Sequence, residues 1–169
     1  MGDKGGVMGG GRTSLGGQLL EDVIRSLKLK DFAVLKYSEY HKFGKSPTLL
    51  EPPSRMLIKR YPYTTIFGTQ GYREYYVLSV EWSGELECKF QNGSGSTDEK
   101  FLYVSETLRR SQEQRMAVVH AGHWWKDKRG KHIIEWAKDE AKRLARNDGK
   151  ELLILDFDGF INWAHRTWK

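Results

Sequence analysis

The sequence predicts an α/β fold in which helices flank a mixed central sheet, with core elements in the order αβββαβ. Three observations lead to this prediction: an amphipathic stripe opens the chain, three strand-like runs follow, and helix and strand then alternate. The 169 residues are 38% hydrophobic and 12% aromatic, which is enough to bury the core of one domain over residues 14–169.

The first 13 residues are rich in glycine and contain few apolar side chains, so we expect a flexible tail over residues 1–13. No strand-like run precedes these glycines, and no Gly-Lys-Ser/Thr follows them. Both features argue against a phosphate-binding P-loop in this segment.

The leading helix is predicted from Ser14, a favourable N-cap, and from the apolar stripe that follows it. This stripe consists of Leu15, Leu19, Leu20, Val23, Ile24 and Leu27. At about 100° per residue, Glu21 falls about 60° beyond Ile24, at the edge of the stripe. Glu21 can therefore face inward along the side of the core, although an ordinary flanking carboxylate would occupy the same position.

Residues 28–62 combine basic and aromatic side chains with four prolines. We predict one strand from Phe32 to Tyr37 and then a long loop, because proline interrupts regular structure. Long loops are often functional, and this one carries basic residues that suit a phosphate backbone, among them Lys45 and Arg60.

The next segment is predicted to form an antiparallel meander of three strands. The strands run from Tyr63 to Phe67, from Tyr75 to Val80 and from Glu85 to Gln91. Residues 68–71 and 81–84 separate them and contain the glycines of tight turns.

Helices and strands alternate in the second half of the chain. A capping box from Ser96 to Glu99 precedes the first helix, and strands are predicted from Met116 to His120 and from Leu152 to Phe157. A strand, a helix and a second strand in this order predict a right-handed parallel crossover. The inward faces of the two helices consist of Phe101, Val104, Ser105 and Leu108, and of Ile133, Ala137, Ala141 and Leu144.

The charge of the chain favours a polyanionic partner. The net charge is +6, the basic residues gather in residues 28–60 and 126–146, and nucleic acid is the natural candidate. The single cysteine, Cys88, excludes an intramolecular disulfide and a multi-cysteine zinc site, which fits a reducing compartment. Because no apolar run approaches the ~20 residues of a membrane helix, we expect a cytoplasmic protein without a membrane partner.

The third meander strand carries the main functional signal. Its alternation places one set of side chains on a face available for chemistry and the opposite set on a buried face. A Glu-x-Lys pair such as Glu87 and Lys89 suits the binding of a divalent metal beside a phosphate. A solvated strand face would show the same alternation. The two sets are Glu85, Glu87, Lys89 and Gln91, and Leu86, Cys88 and Phe90.

This order of elements, with Glu74 opening the second meander strand and Glu87-x-Lys89 in the third, resembles the PD-(D/E)XK nuclease superfamily. The superfamily includes restriction endonucleases and Holliday junction resolvases, and the resemblance covers about residues 14–122, with Glu21 and Gln91 as supporting features. It implies a restriction endonuclease-like fold. The usual second-strand acid is aspartate, so Glu74 departs from the pattern, and an ion-pairing residue at the strand end is the alternative for it.

The resemblance implies a role for each of these residues. Glu74 and Glu87 are expected to hold Mg²⁺, with Mn²⁺ as a substitute, and Lys89 is expected to orient the attacking water. In the resolvase branch a glutamate of the first helix joins the metal ligands, which makes Glu21 the matching residue. Gln91 is expected to orient water or phosphate.

The implied activity is a metal-dependent DNA endonuclease, preferably structure-specific like the Holliday junction resolvases of DNA recombination, because the small chain has little room for a base-reading domain. A homodimer on branched or duplex DNA is expected, because two active sites cut two strands. A DNA endonuclease is expected in the cytoplasm in association with the nucleoid. Residues 91–100 resemble a loop of phage-encoded members, and for such a member the location is the host cytoplasm. A restriction-type enzyme, an RNA-directed nuclease and a noncatalytic DNA-binding module are the alternatives.

The candidate DNA contacts are Lys45, Arg60, Lys100, Lys126, Lys128, Arg129 and Lys131.

Three other sequence features give weaker indications of function. The Asp156-x-Asp158 pair resembles a phosphatase nucleophile loop, but such enzymes need a large α/β domain after it and only ten residues follow Gly159 here, so we expect these residues to end a strand. His120 and His123 have no obvious third metal ligand. Tryptophans can stack on exposed bases, although most residues of this kind belong to the core. The candidates are Trp124, Trp125, Trp136, Trp163 and Trp168.

Overall fold

The fold of the chain is given by a computed structural model that describes residues 15–27, 31–43, 55–92 and 98–168. The helices are α1 (Leu15–Ser26), α2 (Tyr37–Phe43), α3 (Asp98–Arg110), α4 (Lys128–Asp148) and α5 (Phe157–Thr167), with a 3₁₀ turn at His123–Lys126. The strands are β1 (Ala33–Lys36), β2 (Met56–Thr64), β3 (Gln70–Leu78), β4 (Gly84–Phe90), β5 (Arg115–Ala121) and β6 (Glu151–Leu155).

The strands form one six-stranded mixed sheet in the order of the sequence. β3 pairs antiparallel with both β2 and β4, which makes the predicted meander. β5 lies parallel to β4 and β6 parallel to β5, so α3 and α4 are crossover connections. The predicted α/β class and the αβββαβ core are confirmed.

Helices cover both faces of the sheet. One buried cluster joins α1 and α5 to the sheet and includes Leu20, Leu86 and Phe160, each 0–1% exposed. The other joins α3 and α4 to the opposite face and includes Phe101 and Met116. Each fully buried side chain of this size stabilises the fold by about 1.5–3 kcal/mol. Because Leu86 faces α1, the alternating residues Glu85, Glu87 and Lys89 project toward α3.

The first meander strand begins earlier than predicted. β2 starts at Met56 rather than at Tyr63, so residues 56–62 are strand and not loop. The prediction placed residues up to Pro62 in a loop because proline interrupts regular structure. β1 pairs only with residues Met56–Lys59 of β2, so Pro62 lies beyond the end of β1, where a proline costs no hydrogen bond to that neighbour.

Two helices were not predicted. Residues after β1 form α2, and the last predicted strand ends at Leu155 and is followed by α5. The carboxylate of Asp156 accepts a hydrogen bond from the Gly159 N–H at 2.7 Å, so this residue is the N-cap of α5. The predicted caps Ser14 and Ser96, the predicted tail over residues 1–13 and the predicted DNA contact Lys45 lie outside the described residues. Among the described helices, none is both long and apolar enough to cross a bilayer.

Candidate active site

The candidate site lies at the end of the paired part of β3 and β4, where side chains rather than the two backbones make the contacts between the strands. The register pairs Val77 with Gly84 and Tyr75 with Leu86. One residue further along, the Glu74 carboxylate accepts a hydrogen bond from the Cys88 N–H at 3.2 Å. Glu74 therefore reaches the β4 backbone beside Glu87, which brings together the two carboxylates predicted from sequence.

Glu87 is held by two cationic groups. Its Oε1 accepts a hydrogen bond from Lys89 Nζ, and its Oε2 accepts one from Arg73 Nη1 at 2.5 Å. Glu87 is 13% exposed and Lys89 is 18% exposed, so the pair is largely buried but still reached by solvent. The Lys89 carbonyl accepts a hydrogen bond from Trp125 Nε1 at 3.1 Å, which anchors this part of β4 to the α3–α4 side of the sheet.

The two carboxylates differ in charge state. Burial and the negative charge of Glu87 raise the pKa of Glu74 from 4.5 to about 7. Burial also acts to raise the pKa of Glu87, but the charges of Lys89 and Arg73 outweigh it and lower that pKa. Glu74 therefore keeps its proton to a higher pH than Glu87 does. A divalent cation between them would favour the ionised form of both, so the residues present fit a metal such as Mg²⁺.

Arg73 and Glu85 form a buried ion pair behind the candidate ligands. Arg73 Nε donates to Glu85 Oε2 at 2.9 Å, and the two side chains are 1% and 0% exposed. The Arg73 guanidinium lies 3.8 Å from the ring centroid of Tyr63. Glu85 has no role in the prediction from sequence, so this ion pair was not predicted.

Arg73 reaches Glu85 because strand alternation breaks nearby. In a regular strand Arg73 would share a face with Tyr75, which packs with Leu86 in the α1 cluster. Instead Arg73 contacts Glu85 on the opposite face. The neighbouring strand has a positive φ of 54° at Arg60, a conformation that is uncommon for a non-glycine residue. Such a break cannot be found from period-two patterning.

The end of β4 carries two further predicted residues. Lys100 Nζ donates to Gln91 Oε1 at 2.5 Å, so the amide of Gln91 has a fixed partner. Burial and the nearby charge of Lys89 lower the pKa of Lys100. Gln91 and Lys100 therefore lie at the same end of the sheet as Lys89.

Glu21 has basic partners on the α1 side of the sheet. It accepts hydrogen bonds from Lys59 Nζ at 2.8 Å and from Arg25 at 2.5 Å, and the Lys59 bond lowers its pKa. Among the residues that the structure describes, no three carboxylate, histidine or cysteine side chains are grouped so as to hold a metal ion. Glu21 as a third metal ligand stays a prediction.

The predicted nucleic-acid contacts divide into exposed cations and packed aromatics. Lys126, Lys128, Arg129 and Lys131 are exposed, and so is Arg60. The tryptophans considered for base stacking do not present exposed rings. Trp124, Trp125 and Trp168 are buried, and the half-buried Trp163 and Trp136 pack against the core clusters, because they fill the space between helices and sheet.

Comparison with known proteins identifies the family. A family model described as a PD-(D/E)XK nuclease superfamily domain matches residues 12–168. No curated protein and no solved structure gives a significant match. The matched range extends past the meander and its crossover to include α4, β6 and α5. The chain belongs to the PD-(D/E)XK nuclease superfamily.

Proposed function

We propose that this protein is a metal-dependent endonuclease that hydrolyses phosphodiester bonds in DNA. The observation that carries the proposal is the meeting of Glu74, Glu87 and Lys89 at the β3–β4 junction. Members of the superfamily generally use divalent metals, and the raised pKa of Glu74 fits a carboxylate that becomes fully ionised when a cation binds.

Each residue has a separate role in the proposed mechanism. Glu74 and Glu87 hold Mg²⁺, or Mn²⁺ in its place, and the metal supplies a Lewis acid beside the scissile phosphate. Lys89 provides a fixed positive charge that orients water and stabilises negative charge developing on the phosphate. Gln91, positioned by Lys100, orients the water or a phosphate oxygen. In a resolvase-like site Glu21 would be a third ligand, for which it must leave both Lys59 and Arg25 and reach the metal from the α1 side of the sheet.

The proposed substrate is branched DNA, bound by a homodimer so that two sites cut two strands. The exposed basic cluster of Lys126, Lys128, Arg129 and Lys131 supports DNA as the partner. β5 runs parallel to β4, with His120 opposite Lys89, and this cluster follows β5. The cluster therefore lies at the same end of the sheet as Lys89, where it can contact a phosphate backbone that enters the site.

Cleavage of several substrates by the same protein preparation tests this function. The panel is a four-way junction, a matched linear duplex, supercoiled plasmid and a single-stranded RNA, each with Mg²⁺, Mn²⁺ or EDTA. We expect metal-dependent cutting of DNA, with the junction cut fastest, and little cutting of RNA. Faster cutting of the duplex at defined sequences would favour a restriction-type enzyme.

A variant control separates this activity from a contaminating nuclease. Lys89→Ala should abolish cutting, whereas Lys138→Ala, at an exposed position on α4, should leave it unchanged. If the purified protein binds DNA but cuts no substrate with either metal, it is a noncatalytic DNA-binding module and the proposed function is wrong.

A further inference from the structure

Arg73 contacts the oxygen of Glu87 that lies away from solvent. Arg73 is 1% exposed, and its Nη1 donates to Glu87 Oε2 at 2.5 Å. The other carboxylate oxygen, Oε1, accepts a hydrogen bond from Lys89, whose side chain is 18% exposed. A cation that enters from solvent therefore meets Oε1, while Oε2 stays bound to Arg73.

The Arg73 guanidinium is fixed by several neighbours. Its Nε donates to Glu85 Oε2 at 2.9 Å, and its central carbon lies 3.8 Å from the ring centroid of Tyr63. The Tyr63 ring lies across Gly71, where a Cβ would come 2.6 Å from it, and Tyr63 is hydrogen-bonded to Tyr103 of α3. An arginine held in this way presents its fork of N–H groups in one orientation.

Glu85 compensates the charge of Arg73. The two side chains are 1% and 0% exposed, so water screens their charges little. A buried positive charge next to Glu87 would by itself oppose the binding of a divalent cation. Because Glu85 pairs with Arg73, the two together add no net charge, and Glu87 keeps its own negative charge for a metal.

The stability of the fold does not account for this ion pair. In the part of the chain that the structure describes, Arg73 Nη2 and Glu85 Oε1 are buried and have no hydrogen-bond partner. Each buried polar atom of this kind costs about 1–3 kcal/mol. Well-packed apolar side chains are often as stabilising as a buried ion pair, or more so. The position of the pair, directly behind Glu87, points to a role in the site.

We propose that Arg73 and Glu85 act together as positioning residues for the metal ligand Glu87. Arg73 holds Oε2 so that Oε1 is turned to the divalent cation, and Glu85 cancels the charge of Arg73 that would repel this cation. The inference rests on the proposed nuclease function. It assigns a separate effect to each residue: Arg73 sets the geometry of Glu87, and Glu85 sets the affinity for the metal.

Metal affinity is measured without DNA, by calorimetric titration of the full chain with Mn²⁺. Glu85→Gln keeps an oxygen that can accept from Arg73, but it leaves the charge of Arg73 uncompensated. We expect Mn²⁺ to bind this variant about 10–100-fold more weakly than the wild type, the usual range for residues that support a metal ligand. Its kcat in plasmid nicking at saturating Mg²⁺ should stay close to the wild-type value, because Glu87 keeps its orientation.

Arg73→Lys is the complementary variant. Lysine keeps the positive charge, but an ammonium group on a flexible stem does not reproduce the fixed fork that bonds Glu85 and Glu87. We expect kcat at saturating Mg²⁺ to fall about 10–100-fold, with a smaller change in Mn²⁺ affinity. Opposite effects of the two variants on affinity and kcat would not arise from a loss of folded protein.

The same two substitutions in a second ion pair provide matched controls. Arg109 binds Glu140 at 2.6 Å between α3 and α4. Arg109→Lys and Glu140→Gln should leave both Mn²⁺ affinity and kcat unchanged. Burial raises the pKa of Glu85 although Arg73 opposes the rise, so all titrations are made at pH 8. Thermal unfolding of each variant sets an assay temperature at which all of them are folded.

Wild-type Mn²⁺ affinity in Glu85→Gln, or wild-type kcat in Arg73→Lys, would overturn the positioning proposal. Parallel losses of affinity and kcat that follow the loss of Tm in both variants would also overturn it, because a purely structural role gives that result. If the wild type cuts DNA and both variants behave like it, only this proposal is rejected.

The nuclease function is scored separately in the same series. If the wild type cuts no DNA while Glu85→Gln weakens Mn²⁺ binding, the nuclease function is rejected and the effect of Glu85 on the metal stands. Mn²⁺ binding that survives Glu87→Gln would place the metal elsewhere and would overturn both proposals.

Discussion

Two arginine-centred clusters in this protein look similar but differ in burial and surroundings. Between α3 and α4, Arg109 binds Glu106, Glu140 at 2.6 Å and Asp148 at 3.4 Å, and it is 35% exposed. At the β3–β4 junction, Arg73 binds two glutamates and is 1% exposed. The first cluster joins two helices at the surface; the second lies directly behind a candidate metal ligand.

The two clusters differ in how their carboxylates are compensated. In the Arg109 cluster, arginine contacts each carboxylate, so the charges compensate one another in a partly solvated setting. In the Arg73 cluster, the neighbouring Glu74 accepts a backbone N–H, and burial beside Glu87 raises its pKa to about 7. We infer that the first cluster contributes stability and that the second provides a place for a cation.

The largest expected difference is in activity. Glu87→Gln removes a charge needed for the metal, so kcat should fall about 10³-fold or more, equivalent to ~4 kcal/mol or more of transition-state stabilisation. Glu140→Gln makes the same chemical change in the Arg109 cluster and should leave kcat unchanged. Plasmid nicking at saturating Mg²⁺ measures both. Equal losses of activity in the two variants would show that the Arg73 and Arg109 clusters do not differ in their role in cleavage.

The next effect is on stability. Arg73→Met leaves Glu85 buried without its partner, which should lower the free energy of unfolding by about 3 kcal/mol. Replacing both partners, as Arg73→Met with Glu85→Met, should recover part of this loss because Glu85 no longer leaves a buried charge, while Glu87 still lacks its bond to Arg73. Urea unfolding gives both values. A double variant as unstable as the single one would show that packing against Tyr63, rather than charge, dominates.

A smaller loss is expected in the Arg109 cluster. Arg109→Met should lower the free energy of unfolding by only about 1 kcal/mol. Arg109 is 35% exposed, so water can solvate the carboxylates that lose their contact with it. The same urea series measures this. If Arg109→Met proved as destabilising as Arg73→Met, burial would not be the variable that separates the two clusters.

The smallest effect concerns pH. The pKa of Glu74 is raised in the folded protein, so between about pH 4.5 and 7 the folded state holds this proton more tightly than the unfolded state. The contribution of Glu74 to stability therefore falls as pH rises through that window. Mg²⁺ binds the ionised form, so it should raise Tm by about 2–4 °C more at pH 8 than at pH 5.5. An equal shift in Tm at both pH values would show that metal binding does not depend on the ionisation of Glu74.

Sequence reasoning succeeded where periodicity determines which way a side chain points. Period-two alternation placed Glu87 and Lys89 on one face of β4, and helical periodicity predicted α1, α3 and α4. The meander brought Glu74 to Glu87 because adjacent antiparallel strands align their residues.

The parts that sequence reasoning missed depend on irregular backbone or on strand ends. Arg73 changes face next to the positive φ of Arg60, and alternation predicts the opposite orientation. Pro62 is accommodated in β2 because β1 is short, which cannot be known before the register is known. The tryptophans considered for stacking on bases pack into the core instead, which depends on how helices and sheet come together.

The central claim is that Glu74 and Glu87 share one divalent metal. Crystals of the wild-type protein grown with Mn²⁺ and measured for anomalous scattering test it most directly. The account predicts a peak about 2.1 Å from a carboxylate oxygen of each residue, and no peak at this position in crystals of Glu87→Gln. A metal bound elsewhere in the protein, with the Glu74 and Glu87 carboxylates still in contact only with protein groups, would contradict the claim.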